Sequence, residues 1–294
     1  MAESSNIPRS HDVSDLQLEA DDANASPPGL ERAVNNKPLL WLLGGIALLY
    51  AAVLIYHVSV PQGSPTNQAF LEQCRQICLK YGLVSTGNVK EDARAFLTAV
   101  NARPISVELK TLLSDKDFQP AESQPHVLLG QQAPDFELMG SDGNTYRLAD
   151  VLKDGPVVLV FYYGYACSHC VAQLYALNDD LGYFHELGAK IVAVSPDTIE
   201  QTNKSYEEYG KFDFLVLSDP DDQIAYQFGC HKPADAASDE VRQHGTFLIQ
   251  SDGRITWAYR GVTPFTDNKS LLFELSTPKN SAESDSTAQV SLAD

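Results

Sequence analysis

The sequence predicts an α/β protein: a central mixed sheet flanked by helices, preceded by one apolar helix and a small helical segment. Three observations carry that expectation. Pro156 to Tyr163 is a run of β-branched and aromatic residues, and the stretch after it sets Val171, Leu174, Leu177 and Leu181 on one side, which reads as buried strand then amphipathic helix. Similar apolar runs alternate with helical patterns from residue 126 to 276. Finally, Leu39 to Tyr56 holds eighteen residues without a charge.

With 294 residues and 44% hydrophobic content, the chain has material for a substantial core. A formal charge of −18 argues against nucleic acid as a partner, because phosphate backbones attract basic patches. Most of that charge serves solubility.

In chain order, residues 1–37 are rich in Ser, Asn, Asp, Glu and Pro and are expected to form a disordered acidic tail. Residues 38–60 are long enough to cross a hydrocarbon core of about 30 Å at about 1.5 Å per residue. Trp41, Tyr50 and Tyr56 suit interfacial belts. A cleaved signal peptide and a buried core helix are the alternatives, but a signal peptide has a short basic leader, not 37 mainly acidic residues. Arg32 and Lys37 precede the stretch, and the first basic residue after it is Arg75. The positive-inside rule then places the N-terminus in the cytoplasm and the remainder outside it, in the periplasm if the cell is bacterial.

Residues 61–125 are expected to be a helical linker or subdomain. Phe70, Leu71, Cys74, Ile77, Cys78 and Tyr81 recur at helical spacing, ending near Gly82. A second helix starts from Asn88 as cap, with Glu91 three residues on and Ala93, Phe96, Leu97 and Val100 inward. A third, short one is expected from Ser106 to Leu113. Residues 126–276 make the main domain. Phe136–Leu138 and Thr145–Leu148 read as a hairpin around Asp142-Gly143, and Lys190–Ser195 as a strand parallel to 156–163 through a right-handed crossover. Thr198–Tyr209 and Asp221–Phe228 are expected helices, with a short strand at Phe212–Leu217. Thr246–Gln250 and Ile255–Tyr259 form a closing hairpin, Asn268–Leu275 a final helix, and 277–294 a polar tail.

Cys167 and Cys170 fall at the strand-to-helix turn. The thiolate does thiol chemistry, and unpaired N–H groups at a helix N-terminus stabilise it. His169, between them, can add a proton or a hydrogen bond. A Cys-x-x-Cys pair alone also makes half of a metal site, but strand and helix context is what a redox dithiol needs. Cys74 and Cys78, four apart on a helix, would have Cβ atoms about 5–6 Å apart, beyond the roughly 3.5–4.5 Å of a disulfide. Buried packing is their expected role, with a redox relay or a metal site shared with Cys167 and Cys170 as alternatives. Cys230 lies in an irregular stretch and reads either as a resolving cysteine or as a loop thiol of no consequence. His244 reads as an orienting group or a surface histidine, and Tyr163 as rim packing whose hydroxyl can donate to a reacting sulfur.

Four motifs stand in order along the chain: Gly130-Gln-Gln-Ala-Pro-Asp-Phe136, Ser141-Asp-Gly-Asn-Thr-Tyr-Arg-Leu148, Phe161-Tyr-Tyr-Gly-Tyr-Ala-Cys-Ser-His-Cys170 and Gly245-Thr-Phe-Leu-Ile-Gln-Ser-Asp-Gly-Arg-Ile255. On these, from about Gly130 to Leu275, the chain resembles the alkyl hydroperoxide reductase/thiol-specific antioxidant family, the peroxiredoxin-like branch of the thioredoxin fold. Registered on Phe161-Tyr162, that family's Pro-x-x-x-Thr-x-x-Cys puts Tyr163 at the proline, Cys167 at the threonine and Cys170 at the peroxidatic cysteine. His244 stands where the family has an arginine, and Gly245 where thioredoxins have a cis-proline.

The resemblance implies a thioredoxin-like fold and a thiol oxidoreductase, which the apolar stretch 38–60 is expected to anchor to a membrane, with Cys167, Cys170 and His169 catalytic and Cys230, His244 and Tyr163 accessory. Such a protein reduces peroxides or exchanges protein disulfides, works with a thiol redox partner protein, meets the bilayer through 38–60, and needs no cofactor or metal. A different reading is a copper-binding or delivery module of thioredoxin-like fold, with His231 or His244 completing the dithiol as a ligand set.

Overall fold

The computed structural model describes residues 37–59, 65–234, 238 and 240–277. Both expected tails and the start of the expected linker therefore lie outside the described residues, apart from Lys37 and Thr277. The chain divides into two units, one up to Pro61 and one from Gln62 onward. In the first, helix α1 spans Lys37–Ser59. Side chains are described over residues 40–51 of it, where Leu40, Trp41, Leu42, Leu43, Ile46, Leu48, Leu49 and Tyr50 are all exposed. Among the described residues, no helix is long and apolar enough to cross a membrane. The expectation of a span at 38–60 thus receives a helix in the expected place without a described membrane-length apolar surface.

The second unit opens with α2 (Pro65–Lys80), α3 (Val89–Ala99) and α4 (Leu109–Leu113). Strands β1 (Glu137–Gly140) and β2 (Thr145–Arg147) form the expected hairpin, followed by α5 (Leu148–Val151) and a short 3-10 turn. Strand β3 (Val157–Phe161) feeds α6 (Ser168–Asp179) and α7 (Leu181–Glu186), and β4 (Lys190–Ser195) feeds α8 (Ile199–Tyr209). Then come β5 (Leu215–Ser218), α9 (Gln223–Gln227), the small pair β6 (His231–Lys232) and β7 (Val241–Arg242), β8 (His244–Ile249), β9 (Ile255–Gly261) and α10 (Asn268–Ser276).

Seven strands make one sheet in the order β2-β1-β5-β4-β3-β8-β9. β3, β4 and β5 are parallel neighbours, and β8 runs antiparallel to β3. All five residues of β3 are buried, which a strand covered on both faces requires. Its side chains alternate: Val158 and Val160 join the core beneath α6, whereas Val157, Leu159 and Phe161 join a second core on the other face.

Two expectations change here. Within the expected helical linker or subdomain, residues 89–113 are part of the main domain's core. Ala93, Phe96 and Leu97 of α3, with Leu109 and Leu112 of α4, enter the same core as Val171, Leu174 and Leu177 of α6. The physical reason is that an eleven-residue helix cannot bury its apolar face alone. Its cap is as expected, Asn88 accepting from the N–H groups of Lys90 and Glu91. The other change is that α6 is not one-sided: His169 through Leu177 are all buried, with Phe96 of α3 packed on the His169 ring and Gln173 Nε2 donating to Thr246 Oγ1 of β8 at 2.8 Å. The helix breaks at Asp180, whose buried carboxylate accepts from the Ile105 N–H and from Asn268 Nδ2 at 2.8 Å each, so Leu181 begins α7.

Candidate active site

The turn between β3 and α6 is built before its sulfurs matter. Gly164 has φ +82°, a backbone conformation that side chains disfavour, and a Cβ there would run into the Asp197 carboxylate. Asp197, just past the end of β4, accepts the Tyr165 N–H at 2.9 Å. Burial pushes its pKa up to about 6. The sequence reading missed Asp197; its only signal is an acidic residue beyond the carboxyl end of a parallel strand, beside the turn that starts the next helix.

Cys167 is the N-cap of α6, its carbonyl accepting the N–H groups of Cys170 at 3.0 Å and Val171 at 3.3 Å. Cys167 and Cys170 are joined by a disulfide across a Cα separation of 5.3 Å. Cys167 is 4% exposed and Cys170 fully buried, so the two sulfurs differ little in accessibility. His169 is also fully buried, with Nδ1 3.1 Å from Cys167 Sγ and Nε2 3.9 Å from Cys170 Sγ. Burial pushes its pKa down to about 4, so at neutral pH it is an uncharged imidazole beside the closed disulfide. Phe96 of α3 packs on that ring at 5.6 Å between centroids.

Helix α2 adds two more thiols. Cys74 Sγ lies 3.9 Å from Cys170 Sγ, and Cys78 Sγ 3.7 Å from His169 Nδ1. Burial pushes the Cys74 pKa up to about 12. Cys74 is indeed packed, but against Cys167 and Cys170 rather than ordinary apolar side chains, with Tyr163 alongside. Only tertiary packing brings it there, since 93 residues separate it from Cys167. The ligand atoms of Cys74, Cys167, His169 and Cys170 all lie within 4.8 Å of one another, and all four residues are buried.

His244 opens β8 beside this cluster. It is buried, its ring 4.9 Å from that of Tyr163 and 5.9 Å from that of His169. Burial, with His169 adjacent, holds its pKa well below the usual histidine value, so the position carries no cation at neutral pH. Neither of its ring nitrogens has a hydrogen-bond partner among the described residues. The reading of His244 as a surface histidine is thereby corrected: β8 is a central strand and its first residue is already covered. Burial likewise raises the Tyr163 phenol pKa.

Cys230 is corrected too. It is not an exposed loop thiol but 2% exposed, within the core on the far face of the sheet among Phe161, Phe228 and Phe247. Its Sγ packs on the backbone of β8, where a Cβ at Gly245 would meet it. Burial raises its pKa as well. It does not belong to the sulfur cluster of Cys74, Cys167 and Cys170. His231 is engaged elsewhere, Nε2 meeting Glu240 Oε1 at 3.0 Å. Three clefts, of about 530, 730 and 680 Å³, are lined by Arg94, Asp179 and Asn268, by Tyr146, Lys211 and Phe214, and by Lys110, Asp115 and Lys269 respectively; none of the three reaches the dithiol.

The AhpC/TSA family model matches residues 129–258. A peroxiredoxin Bcp of Bacillus subtilis is 35% identical over 138 residues, 46% of this chain and 87% of that protein. A peroxiredoxin Bcp of Escherichia coli is 31% identical over 129 residues, 43% of this chain and 81% of that protein. Among solved structures, the peroxidoxin BcpB of Mycobacterium tuberculosis aligns with a TM-score of 0.46 at 27% identity, over 52% of this chain and all of that one.

Proposed function

This chain belongs to the AhpC/TSA peroxiredoxin family, and we propose that it reduces hydroperoxides with Cys167 as attacking thiolate and Cys170 as resolving thiol, tethered to a membrane. Membership makes it a thiol-dependent oxidoreductase of mixed α/β thioredoxin-like fold. The observation carrying the finer reading, against the family register that sets Cys170 at the peroxidatic position, is a buried dithiol at a helix N-terminus with His169 Nδ1 3.1 Å from Cys167 Sγ. The imidazole is the base within reach of the Cys167 proton, and the α6 N-terminus stabilises the resulting thiolate.

The thiolate attacks one oxygen of the peroxide, the O–O bond breaks, and the leaving alkoxide or hydroxide takes a proton. Cys167 is then a sulfenic acid. The Cys170 sulfur attacks that sulfur as its thiol proton passes to the departing hydroxide, so that water leaves and a disulfide forms. A partner thiol regenerates the pair by attacking Cys167, the less buried sulfur, with Cys170 as leaving thiolate. At 4% and 0% exposure these sulfurs admit a small peroxide more readily than a disulfide on a folded partner. That favours peroxide as oxidant over protein disulfide exchange. His244, where the family pattern has arginine, is a neutral hydrogen-bonding group for the peroxide, aided by Tyr163.

The test compares oxidation of the reduced protein by hydrogen peroxide with oxidation by a small disulfide, in wild type, Cys167→Ser and Cys170→Ser. Fast peroxide oxidation with a sulfenate trapped on Cys167 in the Cys170→Ser protein is expected. A sulfenate trapped on Cys170 instead would reverse the roles, and slow peroxide oxidation with rapid disulfide exchange would make the protein an exchanger.

Tethering through 38–60 is read from the uncharged stretch of the sequence, most of which α1 carries as helix. Its exposed Leu and Trp side chains need an apolar surrounding. Arg32 and Lys37 ahead of the stretch support an orientation with the N-terminus in the cytoplasm and the redox domain outside it. Retention in membranes through alkaline extraction is expected, and release into the supernatant would end this part of the reading.

A further inference from the structure

The donor cluster at the head of α6 holds one more residue than thiol peroxidation uses. We propose that the reduced protein binds one Zn²⁺ through Cys74, Cys167, Cys170 and His169, and that oxidation of the dithiol expels it. Three thiolates and one imidazole are a tetrahedral zinc donor set, and closure from solvent is the mark of such sites. Here the donors are 5%, 4%, 0% and 0% exposed.

The distances fit before any metal enters. Bonds of about 2.3 Å to sulfur and about 2.0 Å to nitrogen set tetrahedral edges of roughly 3.8 Å between sulfurs and about 3.5 Å from sulfur to nitrogen. Cys74 Sγ is 3.9 Å from Cys170 Sγ, and His169 Nε2 is 3.9 Å from both Cys167 Sγ and Cys170 Sγ. Of the other three edges, those from Cys74 to Cys167 and to His169 lie within 4.8 Å, and that between Cys167 and Cys170 is closed by the disulfide and opens to zinc length on reduction. With Nε2 on the metal, Nδ1 faces Cys78 Sγ at 3.7 Å, an outer partner that holds the ring orientation. Charge selects the ion. Three thiolates with Zn²⁺ leave one net negative charge at the N-terminus of a twelve-residue helix, whereas a monovalent soft cation leaves two.

Cys74 lies on α2, outside residues 129–258 that match the family, so its contribution is additional to the family portion of the chain. Oxidation breaks the site by removing two ligands at once. Two zinc-bound thiolates give two electrons to the O–O bond of a hydroperoxide, taking up two protons to release an alcohol and a water. Cys167 and Cys170 become the disulfide, and Zn²⁺ leaves with only Cys74 and His169 remaining.

The release step rests on the peroxide reading, whereas binding does not; peroxide consumption by the metal-free protein is measured separately, so the two fail independently. The full-length protein, reduced and freed of reductant, is titrated with Zn²⁺ against a chromogenic chelator. One zinc per reduced chain and none in the disulfide form are expected. Cys74→Ser should weaken affinity at least about 1,000-fold, and Cys78→Ser only about 10–100-fold, as expected for an outer partner. Hydrogen peroxide added to the loaded protein should release one zinc per disulfide formed, read by chelator colour and mass. No stoichiometric zinc in the reduced chain, equal retention in the disulfide form, or a Cys78→Ser loss matching that of Cys74→Ser would overturn the proposal.

Discussion

Two thiol environments abut opposite sides of β8, and their contrast is instructive. At its first residue, His244 faces the cluster of Cys74, Cys167, Cys170 and His169; at the next, Gly245 abuts Cys230. Both environments are buried and rich in aromatic rings. Around Cys230, however, there are Phe161, Phe228 and Phe247, with Sγ 3.8 Å from the Phe228 carbonyl. The thiol is kept protonated and inert there. Around the dithiol the neighbours are sulfur, imidazole and the N–H groups of a helix start. Burial alone therefore does not silence a cysteine; the polar groups buried with it decide.

The sharpest way to break this contrast is to remove one sulfur from each side. Cys167→Ser or Cys170→Ser should lower peroxide turnover at least about 1,000-fold, since the reacting groups act as a unit. Cys230→Ser should leave turnover within about twofold but cost about 1–3 kcal/mol by placing a hydroxyl among aromatic rings, read by denaturant titration. Comparable turnover losses on both sides would erase the distinction.

Next in size is the support beneath His169. Phe96→Ala empties a buried site shared by α3 and α6, with an expected loss of about 3–5 kcal/mol in unfolding free energy. A loss below about 1 kcal/mol would mean that α3 does not belong to this core.

Smaller effects follow from pH. The folded-state pKa of His169 is depressed to about 4, so between the unfolded value near 6.5 and pH 4 the unfolded chain binds the extra proton. Stability should fall as pH drops through that window. His169→Gln should remove roughly 2–3 kcal/mol of the fall, measured by chemical denaturation from pH 8 to pH 4. Asp197 acts with the opposite sign. Its pKa is raised to about 6, so its contribution is present below the unfolded value near 3.8 and lost as pH rises through 6. Asp197→Asn, which keeps an acceptor for the Tyr165 N–H, should stabilise the protein by about 1–2 kcal/mol at pH 8 and by nothing near pH 3. A benefit independent of pH would assign the effect to something other than its charge.

The strand-to-helix turn, the dithiol with its histidine, and the parallel pair β3 and β4 were all legible from periodicity, because a doubly covered strand and a capped helix leave local marks in sequence. The capping of α3 by Asn88 was equally local. By contrast, the burial of Cys230 was hidden: the segment between α9 and β8 has no periodicity, and the fit of its sulfur against Gly245 depends on a strand elsewhere in the chain. Leu181 moved into α7 because Asn268 and Ile105, 88 and 75 residues away from Asp180, hold that carboxylate where the helix would have continued.

By itself, then, the chain determined which segments are strand or helix and that Cys167 and Cys170 share one turn, since both follow from interactions a few residues long. Tertiary structure alone decided that Cys74 stands 3.9 Å from Cys170, that Asp197 pins the turn, and that His244 is neutral. Those outcomes come from packing between distant segments and from the desolvation it imposes, neither of which has a sequence period.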